Sequence, residues 1–138
     1  MAKEQLPGFK QIRDLLYSKN VPVEEITAAA DELTEAERFS DALDLYEESG
    51  DLERVRAICA RALSEGDVGI WMKARKILKE AITPDEWRKI ADIALIAEKP
   101  HFALFAYKRA GDEQKVEELS QKISGVKAPP APKPKETT

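Results

Sequence analysis

Cysteine and histidine are nearly absent from this chain of 138 residues; Cys59 and His101 are the sole examples. One thiol cannot close an internal disulfide, and one imidazole cannot anchor a multi-histidine metal cage. No apolar run approaches the roughly 18–20 residues needed to cross a bilayer, so a membrane span is not expected. The opening Met1-Ala2-Lys3-Glu4-Gln5-Leu6-Pro7 has no apolar centre that could act as a secretion signal. Together these absences lead to the expectation of a reducing, cytoplasmic setting. Phosphate-cradling glycine loops, an HExxH pair and a nucleophile elbow are missing too. Cys59 lies on the apolar stripe of its segment and reads as a small buried thiol. His101 follows Pro100 at a helix start, with no partner at a ligand or catalytic spacing. Carboxylates are plentiful, but nothing singles out a catalytic pair. No enzyme activity, cofactor or metal is expected.

Strand signals are scarce: there is no alternating β-branched run and no Asn-Gly or Asp-Gly hairpin turn. What the chain has is helical periodicity. Phe39, Ala42, Leu43 and Tyr46 fall at i, i+3, i+4 and i+7, the stripe of an amphipathic helix. Leu52, Val55, Ile58, Cys59, Ala62 and Leu63 repeat the pattern, as do Val116, Leu119 and Ile123. The spacing predicts eight helices, near 8–19, 22–36, 39–49, 52–64, 69–81, 84–97, 101–110 and 113–124. Pro22 and Pro84 sit where a first helical turn tolerates a missing N–H. Thr83-Pro84-Asp85-Glu86 reads as a capping box. Gly50-Asp51 and Gly111-Asp112 read as a glycine stop followed by an aspartate N-cap.

An internal repeat is the strongest feature. Shifted by 61 residues, the stretch from Val21 aligns without a gap on the stretch from Ile82. Glu25, Ala30, Asp31, Ala36, Glu37, Ala42, Leu43, Tyr46, Gly50, Asp51 and Val55 each meet an identical residue, eleven matches in 43 pairs. Chance would give about three. Residues 3–63 and 64–124 therefore read as two copies of one four-helix unit, in a repeat domain covering 1–124. Residues 125–138, with Pro129, Pro130, Pro132 and Pro134, read as a disordered or polyproline-like tail rich in proline and lysine.

Ile26, Ala29-Ala30, Leu33, Phe39, Ala42, Tyr46 and Ser49 follow the spacing of the tetratricopeptide helix hairpin. So do Trp87, Ile90-Ala91, Ala94, Ala103, Tyr107 and Ala110. The chain thus resembles the tetratricopeptide-like helical repeats from about residue 21 to 124. It departs from them at Pro100, which replaces the aromatic found at Phe39, and in lacking the closing proline of each copy. The immediate restart at Gly50-Asp51 is similar to clathrin- and coatomer-type repeats. The resemblance implies an all-α fold, a short right-handed solenoid of antiparallel helices, and a role in protein–protein interaction. Stacking follows from physics as well, since a lone hairpin buries too little surface.

Charge is unevenly spread. Residues 3–63 carry 8 bases and 14 acids, whereas residues 64–124 carry 11 of each. Such an acidic half is either a solvated face or a surface that attracts a basic segment. Lys73, Arg75, Lys76 and Lys79 form one small basic run, a thin basis for nucleic-acid binding in an acidic chain. Comparing the copies is sharper. Glu32, Thr34 and Glu35 become Ile93, Leu95 and Ile96, while Asp41 and Asp44 become Phe102 and Phe105. An apolar residue on an outward face marks burial by something further. That cover is either another part of this chain or a second molecule. The expected function is a non-catalytic interaction module, with Ile93, Ile96, Phe102 and Phe105 as apolar anchors. Glu32, Glu35, Asp44 and Glu48 would guide a basic protein or peptide. The alternative is a self-associating protein whose second copy meets itself as a homodimer.

Overall fold

The computed structural model describes residues 6–18 and 20–124. The proline-rich segment 125–138 lies outside them. Among the described residues there are eight α-helices and no strand. They are α1 (Phe9–Tyr17), α2 (Val23–Glu35), α3 (Phe39–Ser49), α4 (Leu52–Glu65), α5 (Val68–Leu78), α6 (Pro84–Ile96), α7 (Pro100–Ala110) and α8 (Glu113–Ser124). The packing is mainly between neighbours, α2 with α3, α6 with α7 and α7 with α8, while α1 rests on α3. An all-α protein of successive helix pairs is what the periodicity demands. None of the described helices is long and apolar enough to cross a membrane.

Local chemistry sets the helix ends. Gly50 and Gly111 both adopt φ of 78°, the left-handed stop that costs a side chain little only when it is absent. Asp51 then accepts from the Arg54 N–H, and Asp112 from the Lys115 N–H, each at 3.2 Å. Thr83 and Glu86 close the expected capping box: the Glu86 N–H donates to Thr83 Oγ1 at 3.1 Å and the Thr83 N–H to Glu86 Oε1 at 3.0 Å. Pro84 opens α6, as expected.

Three local expectations need correction. Pro22 is the N-cap of α2, not part of its first turn; its extended ψ of 140° holds it outside the helix. α5 stops at Leu78 instead of running to 81, because Lys79 turns left-handed at φ 59°. Leu52 is exposed, since it stands at the solvent-facing start of α4.

Among the described residues, internal contacts give two compact units, one running to Ala62 and joined by Gly69–Ala81, the other made of Leu63–Val68 and the residues from Ile82 onward. Their boundary differs from the one expected at 63/64 from the sequence match, because most of α5 belongs with the first unit. Two ion pairs link the stretch 69–81 to the rest of that unit. Lys73 of α5 reaches Asp44 Oδ1 at 2.8 Å, and Arg56 pairs with Glu80 at 2.8 Å. The core of the first unit is built on Ile26, Leu33, Leu43, Leu45, Tyr46, Val55 and Trp71. That of the second is built on Trp87, Ile90, Ala94, Ala103, Tyr107 and Leu119. Inside the second unit Gly66 leaves no room for a side chain. With φ of 71°, a Cβ placed there would stand 2.6 Å from Ala94 Cα.

Candidate functional site

Hairpins α2–α3 and α6–α7 share one internal scaffold. Tyr46 donates its phenolic hydrogen to Asp31, and Tyr107 donates to Asp92 in the same way. Both rings are almost fully buried. Burial, then the bond to Asp31, push the Tyr46 phenol up to about 12, and burial and Asp92 raise Tyr107 likewise. The connections match as well: Glu37 and Glu98 turn at φ 62° and 63°. Arg38 N–H reaches Leu33 O as Lys99 N–H reaches Ala94 O, each at 2.8 Å. Two hairpins with the same skeleton thus carry different side chains outward.

On α7, small residues face the core. Ala103, Ala106 and Ala110 are buried beside Tyr107, so the helix can approach its neighbours closely. Its large apolar side chains point elsewhere: Phe102 and Phe105 are 38% and 39% exposed, and Ile96 at the end of α6 is 83% exposed. Ile93 is half-buried. Phe105 sets its ring edge-on to Trp87, centroids 6.0 Å apart at 72°. The Arg109 guanidinium lies 5.2 Å from the Phe105 centroid and 5.3 Å from that of Trp87. Phe102, Phe105 and Arg109 stand at i, i+3 and i+7 and so share one helix face. The result is an aromatic surface with a cation fixed on it. Arg109, and the buried Trp87 beneath it, escaped the sequence reading as part of this surface; the i+4 step from Phe105 to Arg109 is the signal that could have revealed the first.

The acidic candidates are less uniform. Glu32, Glu35 and Glu48 are exposed on the first unit. Glu32 lines a groove of about 450 Å³ between α1 and α2, with Asp14, Glu25, Leu15 and Ala29. Asp44 is not a free guide for a partner. Lys73 holds it at 2.8 Å while also donating to Ser40 O at 2.9 Å and Ser40 Oγ at 2.8 Å. The basic run on α5 is likewise partly consumed, since Arg75 lies over the Trp71 ring and donates to Ala81 O. The apolar and acidic candidate sets lie in different units.

Compared with known proteins, the chain matches no family model, no curated protein and no solved structure. Its site is therefore read from its own residues. Cys59 is a buried thiol on α4, and His101 is exposed at the start of α7. Among the described residues no group of three or more His, Cys, Asp or Glu could hold a metal ion. α1 adds apolar surface that the sequence reading passed over: Phe9 and Tyr17 are exposed, with Arg13 against the Phe9 ring at 5.7 Å.

Proposed function

We propose that this chain is a non-catalytic helical-repeat module of tetratricopeptide type that captures a partner protein on the outer surface of α6–α7. The observation carrying this reading is the exposure of Ile96, Phe102 and Phe105 at positions where the equivalent hairpin carries Glu35, Asp41 and Asp44. Covering a fully exposed side chain of this size is worth about 1.5–3 kcal/mol, and the half-covered phenylalanines give part of that. Three such anchors on one hairpin make a credible hot spot. The acids Glu32, Glu35 and Glu48 favour a second, basic contact on the first unit by long-range attraction.

The test is the double variant Ile96→Glu with Phe105→Glu, checked for native helicity and then used as bait in extracts of its native cell. Loss of a partner retained by the unaltered chain supports the reading. Unchanged capture together with unchanged oligomeric state defeats it. The same exposed apolar surface favours a second reading, self-association through the second copy. Sedimentation over a concentration series separates the two, because a monomer at high concentration removes the homodimer.

A further inference from the structure

Within the first unit, the outward face of α3 already takes one basic side chain. Ser40 and Asp44 on that face are bound by Lys73, which projects from helix α5. The second copy repeats the hairpin but rewrites this face. Counting 61 residues on, Ser40, Asp41, Asp44, Glu47 and Glu48 become His101, Phe102, Phe105, Lys108 and Arg109. Four acids are lost; two phenylalanines and two bases replace them. α7 itself contains no Asp or Glu. Among the described residues no ion pair engages Lys108 or Arg109; the guanidinium has only the rings of Trp87 and Phe105.

From this inversion we infer that the outward face of α7 is a docking site for an amphipathic helix of another protein, apolar along one stripe and carboxylate-bearing beside it. The inference rests on the interaction-module reading above and specifies the partner's chemistry. The first copy supplies the precedent that a charged side chain from another helix binds this face, and the charge change supplies the sign. A face of four acids takes a lysine; a face of two phenylalanines and two bases takes an apolar stripe flanked by acids. Phe102 and Phe105 would enter between the partner's i and i+3 or i+4 side chains. Arg109, held on two rings, would meet a carboxylate in a fixed position without first having to be ordered. The chain's own segment beyond Ser124 is a poor rival. Its bases Lys127, Lys133 and Lys135 have the same sign as Lys108 and Arg109, and its four prolines lack the N–H groups of a helical ladder.

A displayed library of 14-residue peptides, built on a helix-forming alanine frame and randomised at the other positions, tests this. It is selected against the full chain and counter-selected on Phe105→Glu. The expected winners carry an apolar i, i+3/i+4 stripe flanked by Asp or Glu. They should lose at least tenfold in affinity to Phe105→Glu, and a Lys108→Glu, Arg109→Glu double variant should prefer their lysine-substituted twins. Enrichment of basic peptides, enrichment of proline-rich extended ones, or no enrichment overturns the inference. So does a dimer in the unaltered chain that Phe105→Glu dissolves, since the face would then belong to a second copy. If the native partner is captured through Ile96 and Phe105 while the library selects no acidic helix, only this inference falls. If capture and oligomeric state both ignore those anchors, the interaction reading falls with it.

Discussion

Tyr46 donates its hydroxyl to Asp31, and sixty-one residues later Tyr107 does the same to Asp92, each bond clamping the second helix of a hairpin to the first. The surroundings diverge beyond that pair. Asp31 also receives Arg54 Nε at 2.9 Å, whereas Lys115 at the equivalent position lies over the Tyr107 ring at 5.8 Å. Thr34 Oγ1 stands 3.1 Å from the Tyr46 hydroxyl, and its counterpart is Leu95.

Removing either hydroxyl should therefore destabilise the fold unequally. Tyr46→Phe and Tyr107→Phe are expected to cost about 1.5–3 kcal/mol each, the range for a hydrogen bond to a charged group. The larger loss should fall on Tyr107, because Asp31 keeps Arg54 when Tyr46 is truncated. Urea unfolding of the two single variants measures both values, and an equal or reversed order would contradict the role given to Arg54.

Alkaline pH should weaken the fold through the same two rings. In the unfolded chain a phenol ionises near about 10, while in the folded chain Tyr46 holds its proton to about 12. The folded state thus retains a proton that the unfolded state has lost, so stability is complete below about pH 10 and declines as pH rises towards 12. The urea midpoint is expected to drop across that window, and to drop less in Tyr46→Phe. A midpoint independent of pH there would contradict the buried, neutral phenol.

Glycine should matter very differently at two turns of the same hand. Gly50→Ala meets open space and pays only for its left-handed backbone, about 1–2 kcal/mol. Gly66→Ala pays that and also drives a Cβ onto the Ala94 backbone, adding about 1–3 kcal/mol of overpacking. Thermal unfolding should place Gly66→Ala well below Gly50→Ala.

The proposed anchors should be separable from stability. Ile96→Glu changes an outward side chain and is expected to move stability by no more than about 0.5 kcal/mol. Phe105→Glu also gives up the edge-on contact with Trp87, worth about 0.5–1.5 kcal/mol. Both variants should remain helical by circular dichroism, which makes loss of partner binding interpretable.

Much of this protein was legible in its residues because the governing forces are short-range. A stripe at i, i+3, i+4 and i+7, a glycine followed by aspartate, and Thr83 three residues before Glu86 each act within one or two turns. Eight helices follow from them at nearly the expected bounds. The misplaced details have local causes too, such as the left-handed Lys79, a residue type that gives no warning of that conformation. The exposed apolar set Ile96, Phe102 and Phe105 was also visible, because an internal repeat lets one copy serve as the reference for the other.

Sequence by itself determined the helices and most of their ends, since these are settled by neighbours along the chain, and it displayed the 61-residue internal match. Only the tertiary structure decided that Lys73 takes Asp44, that α5 joins the first unit, that Gly66 lies against Ala94, and that Arg109 settles on Trp87 and Phe105. Those outcomes depend on which helix surfaces meet. Close packing allows one side chain a contact and denies it to another of the same type, and periodicity along a single helix carries no record of that choice.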